Sequence, residues 1–137
     1  MSKFEELRTE MRDARFLREA LTNLGHAAEA HAGGITITDY DGNPHPHPAF
    51  VVVRKTAGFL SDFGFTKTAD GRFTLVVDEY DERFRLGPAW MGRLLQTYKE
   101  KETIAMAKAK GYVLRGREVT ETPRGPLVRL QFVVPGR

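Results

Sequence analysis

Two imidazoles stand two residues apart in His45-Pro46-His47-Pro48. In a locally extended chain, side chains at i and i+2 point the same way, and imidazole suits zinc or nickel. With His26, His31 or Asp41 drawn in, the pair could hold such an ion. A structural zinc site ordinarily takes four ligands, and only His45 and His47 are adjacent here. The simpler expectation is an exposed loop stiffened by its prolines, so no metal or other cofactor is expected.

A second group of residues, Asp78-Glu79-Tyr80-Asp81-Glu82, offers carboxylates that could serve a hard cation or acid–base work. They sit among other charges after a strand, which is the setting of a solvated acidic loop. The third group is basic. Residues 83–117 carry nine basic and two acidic side chains, whereas residues 26–82 carry nine acidic and four basic ones. Such asymmetry attracts nucleic acid, anionic lipid or an acidic protein face.

Catalytic signatures are missing around these groups. The chain has no cysteine, which removes thiol catalysis, disulfides and cysteine-based zinc sites. No phosphate-cradling glycine loop or HExxH helix occurs. Ser2 lies at the N-terminus and Ser61 lacks the context of a nucleophile elbow. An enzyme is therefore not expected.

These groups must be positioned by the elements around them. Gly87-Pro88 opens, and Gly111 closes, a long helix over about 88–110, since proline suits a first turn and glycine a helix end. Met91, Leu94, Leu95, Tyr98, Ala105 and Ala109 form its apolar stripe, with Arg93, Lys99, Lys101, Lys108 and Lys110 mostly off it. A shorter helix over about 13–24 has Asp13 as its cap and Phe16, Leu17, Ala20, Leu21 and Leu24 as its stripe.

The small, alanine-rich stretch from His26 to Gly34 reads as a connection. Ile35 to Tyr40 alternates like a strand, Asp41-Gly42-Asn43-Pro44 turns the chain, and Ala49 to Arg54, with its run Phe50-Val51-Val52-Val53, reads as a strand buried on both faces. Residues 63–67 and 72–77 flank Ala69-Asp70-Gly71 as a hairpin. Tyr112 to Thr120 and Leu127 to Val134 form a second hairpin, whose apolar face is expected to cover the long helix. Residues 3–11 fit either a strand or a helix, with Phe4, Leu7 and Met11 favouring helix on spacing alone. The sum is one α+β domain over 1–137, a mostly antiparallel sheet of about five to seven strands packed against two helices.

In this order the segments resemble the family called hypothetical chloroplast reading frame thirty-five, a domain of unknown function found also in many bacteria. The resemblance rests on Ser2-Lys3-Phe4 through Ala20-Leu21-Thr22-Asn23-Leu24-Gly25, on Asp62 through Asp78, and on Leu94-Leu95-Gln96-Thr97-Tyr98 through Gly111-Tyr112 with the terminal hairpin. It implies a strand at residues 3–11, although Phe4-Glu5-Glu6-Leu7 departs from the family's β-branched pattern. After Tyr98 the family often continues with alanine and a further aromatic or histidine; Lys99-Glu100 stands here instead, and no role of that pair carries over. Bacterial relatives look like partners of MoxR-type AAA+ ATPases through gene proximity, which favours an accessory or adaptor role.

The expected function is thus a small cytoplasmic protein that binds another protein. Arg93, Lys99, Lys101 and Lys108 are the expected contact residues, and Asp78, Glu79, Asp81 and Glu82 an opposite pole. Opposite poles would also allow head-to-tail self-association. The alternative is binding of RNA or DNA through the basic helix, with Trp90, Tyr98 and Tyr112 available for stacking. Trp90 and Tyr98 fall on or beside the apolar stripe, so core packing is the simpler role for both. No apolar run approaches the ~18 residues of a membrane span, no signal-peptide pattern opens the chain, and no membrane partner is expected.

Overall fold

The computed structural model describes residues 3–136. Among them are seven strands and three helices: β1 Phe4–Arg8, α1 Ala14–Asn23, β2 Ala28–Ile35, β3 Ala49–Val53, β4 Phe63–Lys67, β5 Phe73–Asp78, α2 Glu79–Asp81, α3 Trp90–Ala109, β6 Val113–Thr122 and β7 Gly125–Val133. A π-helical turn, Glu82–Leu86, continues α2. The class is α+β and the sheets are antiparallel, as the sequence leads one to expect. The chain divides into two compact units, one running to Tyr98 and the other starting at Lys99.

The first unit is built on five strands in the order β1-β5-β4-β3-β2. Its middle strands are apolar on both faces because both faces are covered. Val51, Val53, Phe65, Leu75 and Val77 share one cluster with Leu17 and Leu21 of α1 and with Trp90, Leu94 and Tyr98 of α3. Val52 and Val76 meet Ile37 and Ala49 on the other face. Each such side chain, fully withdrawn from water, contributes about 1.5–3 kcal/mol. Tyr98 also does polar work: its hydroxyl accepts from the backbone N–H of Arg12 at 3.1 Å and of Asp13 at 2.9 Å. That bond pair sits beside the cap of α1, where the Asp13 carboxylate accepts from Arg15 N–H at 2.8 Å.

Gly64 shows how tightly this sheet is packed. A Cβ placed there would lie 3.0 Å from both the Val51 carbonyl oxygen and the Ala49 Cβ. At the β4–β5 turn, Gly71 takes the positive φ of +85° that the Asp-Gly pair supplies.

Two local expectations change. Residues 4–8 form a strand, as the family resemblance implies, pairing from Phe4↔Asp78 to Arg8↔Thr74. Spacing alone misleads here because an i, i+3 pair shares a helix face but falls on opposite faces of a strand. Phe4 packs on the Ile37 cluster and Leu7 on the larger core. The expected strand from Ile35 to Tyr40 lies earlier: the alanine-rich stretch, read as a connection, is β2, paired with β3 from Ala28↔Val53 to Ile35↔Ala49. Weak intrinsic strand preference there is overridden by pairing to a strongly apolar neighbour. Beyond Ile35 a single bridge remains, Thr38↔Pro44, around the turn that the Asp39 carboxylate closes by accepting from Asp41 and Asn43 N–H, each at 2.9 Å.

The second unit holds the end of α3 and the β6–β7 hairpin. Gly111 ends the helix at φ +81°, with Gly111 N–H donating to the Lys108 carbonyl and Tyr112 N–H to that of Ala107, both at 2.9 Å. The hairpin pairs from Val113↔Val133 to Thr122↔Gly125, with a bulge between Leu114 and Gly116. Arg117 makes a two-pronged ion pair with Glu100. Among the described residues of this unit, Ala107 is the one that is buried. Within the first unit, the stripe of the long helix as far as Tyr98 is closed by α1 and the five-stranded sheet.

Candidate interaction surfaces

The acidic stretch is not an exposed pole. Asp78 and Asp81 are 1% and 0% exposed. Asp78 caps α2, accepting from Tyr80 N–H at 2.8 Å and Asp81 N–H at 3.2 Å. Asp81 reaches across to the loop before β4, accepting from Leu60 N–H at 2.9 Å and Ser61 N–H at 3.2 Å. Burial pushes the Asp81 carboxyl up from its ordinary value, against the pull of those two N–H groups. Both aspartates hold backbone, which corrects their assignment to a contact surface. Glu79 and Glu82 remain partly exposed.

What the segment does present is aromatic. Tyr80 and Phe84, one helical turn apart, have ring centroids 4.9 Å apart and are 43% and 61% exposed. Arg85 lies over the Tyr80 ring and Arg83 over Phe84, and Arg85 Nε donates to the Gly58 carbonyl at 2.7 Å. With Lys3, Tyr40 and Leu60 these rings line a cleft of about 460 Å³. The charge pattern of the sequence gives no sign of this cleft. Its one legible signal is an aromatic pair at i, i+4 in an otherwise charged stretch.

His45 and His47 stay together, with ring centroids 5.8 Å apart, while His31 and His26 go to other neighbours. His45 is buried, and its Nδ1 accepts from His47 N–H at 3.1 Å, bracing the proline-rich loop; its ring meets Phe4 edge-on. His31 Nε2 lies 2.9 Å from Glu29 Oε1. His26 Nε2 accepts from Trp90 Nε1–H at 3.1 Å, within a cluster of edge-on rings that includes Phe63. Partial burial holds the His26 ring below its ordinary pKa, favouring the neutral form this bond needs. Asp41 lies in its own turn. Among the described residues no three His, Cys, Asp or Glu side chains come together as a metal site.

The basic residues fare differently from the acidic ones. Arg93, in the first unit, is exposed; in the second unit Lys99 and Lys108 are exposed and Lys101 partly so. Trp90 and Tyr98 are buried, which removes them from any stacking platform. From Lys99 onward the sequence holds nine basic and four acidic residues. Beside these cations the hairpin exposes Val113, Val119, Leu127 and Val133 at 55%, 48%, 54% and 36%. Positive charge and uncovered apolar surface thus coincide in one unit, a combination suited to contact with an acidic macromolecule.

These features define a small α+β protein. Residues 20–128 match the family described as protein of unknown function (DUF1257), and the chain belongs to that family. No curated protein and no solved structure matches it. Among the described residues no helix is long and apolar enough to cross a membrane.

Proposed function

We propose that this protein is a non-catalytic accessory factor that works by binding another protein, with the second unit as its docking surface. One observation carries the reading: from Lys99 onward Ala107 alone is buried among the described residues, while the hairpin exposes a run of valines and leucines. A two-stranded hairpin is at best marginally stable in water without something to cover it, and a bound partner supplies that cover. Lys99, Lys101 and Lys108 select for an acidic partner, with Arg93 adding to the exposed charge of α3. The likeness to the chloroplast reading frame thirty-five family, whose bacterial members are linked by gene proximity to MoxR-type AAA+ ATPases, makes such an ATPase the first partner to test.

The experiment is a tagged pull-down from native cells, with and without nuclease, beside the triple variant Arg93→Glu, Lys99→Glu, Lys101→Glu. A stoichiometric protein that survives nuclease and is lost with the folded variant supports the reading. Partners that vanish with nuclease, and an affinity falling steeply with salt as phosphate contacts release counterions, would replace it with RNA or DNA binding. The net charge of the second unit is the observation that favours this alternative.

A further inference from the structure

The two sheets differ in how their edges are finished. A strand edge with unpaired N–H and C=O groups is a template for another chain, and proteins blunt such edges with short strands, charges or bulges. Both edges of the five-stranded sheet are treated this way. β1 has five residues, three of them charged: Glu5, Glu6 and Arg8. β2 carries a register break between Ala30 and Ile35, spanning Gly33 and Gly34. In the hairpin, β6 is likewise blunted, with its bulge at Arg115 and with Arg117, Glu118 and Glu121 along it. β7 is different: it runs nine residues, Gly125–Val133, with Arg129 as its one charge, and the extra residue of the bulge lies on its neighbour. Its proline, Pro126, stands near the start, next to the turn.

We propose that the outer edge of β7 accepts an extended acidic segment of the protein partner as a third strand; this rests on the protein-binding reading above. Strand addition draws affinity from main-chain hydrogen bonds and specificity from alternate side chains. One face of β7 carries Val128, Leu130 and Phe132, and the other Leu127, Arg129, Gln131 and Val133. An incoming strand that alternates apolar with acidic residues would extend the first face and place carboxylates beside Arg129. The positive charge of the whole unit selects the same acidic segment and opposes a second copy of this chain at that edge.

The test uses the full chain and a capped eight-residue peptide of alternating valine and glutamate, followed by amide NMR. Expected are saturable shifts confined to residues 127–133, weakened at least tenfold in Arg129→Glu. An alternating valine–lysine peptide should gain affinity for that variant, which also shows that the variant's hairpin is intact. Shifts on β6 or on the five-stranded sheet would overturn the proposal, as would equal binding of an all-glutamate peptide. A dimer held through β7 in sedimentation would overturn it too, by giving the edge to a second copy. A partner captured in pull-down that leaves β7 unperturbed removes the edge proposal and keeps the protein-binding reading. A peptide that binds β7 where no nuclease-resistant partner is captured does the reverse.

Discussion

The two units of this chain are made of similar residues and use them differently. Up to Tyr98, valines and phenylalanines of β3, β4 and β5 are shut between two layers, and even two aspartates, Asp78 and Asp81, are buried as backbone anchors. From Lys99 onward, a hairpin just as rich in valine and leucine keeps all of its described residues at least partly exposed. The first unit has closed its own core and blunted both sheet edges, whereas the second has left apolar surface, positive charge and one smooth strand edge in water. The first is what a scaffold needs. The second is costly in an isolated protein, and the proposed partner would cover it.

That contrast is sharpest in side-chain truncation. Phe65→Ala, at a fully buried site, should lose about 3–5 kcal/mol in denaturant unfolding, while Leu127→Ala, 54% exposed, should stay within about 0.5 kcal/mol. Comparable losses at the two sites would abolish the distinction. Next in size is Asp81. Replacing it with alanine strips the Leu60 and Ser61 N–H groups of their acceptor and should cost about 1–3 kcal/mol, whereas Asp81→Asn keeps an acceptor and should cost less.

Two of the shifted groups of the first unit, Asp81 and His26, give opposite pH slopes. Because the Asp81 carboxyl is raised above 3.8 in the fold, its protonated form favours folding. That contribution is complete below 3.8 and fades as pH rises through the raised value, a slope that Asp81→Asn should lack. His26 is lowered below 6.5, so it supports the fold above 6.5 and loses that support as pH falls through its lowered value. Trp90 fluorescence should report the loosening of the His26 bond, and His26→Gln should flatten that response. The smallest effect on stability is expected for the triple reversal of Arg93, Lys99 and Lys101. Its large effect should appear in partner capture, and a folded variant that captures normally would remove these residues from the docking surface.

Much of the fold was legible because local chemistry states it. Asp13 before an apolar stripe, Gly111 after one, and Asp70-Gly71 between alternating strands each fix an element by their own backbone needs. β1 and β2 were not legible by spacing, since each takes its form from a neighbour, β5 or β3, far away in sequence. The same reason hid the role of Asp81: its partners, the Leu60 and Ser61 N–H groups, lie 21 and 20 residues earlier, so a charge run that reads as a solvated loop carries two anchors. The cation set was readable because lysines off an apolar stripe have nowhere to go but water. The uncovered hairpin was not, because alternation shows which face is apolar and says nothing of whether the chain covers it.

Hydrogen exchange on the intact protein, free and with its captured partner, is the sharpest check on the contrast between an uncovered hairpin and a closed first unit. The slowest amides should lie in β4 and β5 and far faster ones in β6 and β7 of the free protein, with the hairpin slowing strongly once the partner is bound. Hairpin amides as slow as those of β5 in the free protein, or a partner that protects the five-stranded sheet and leaves the hairpin unchanged, would contradict that contrast.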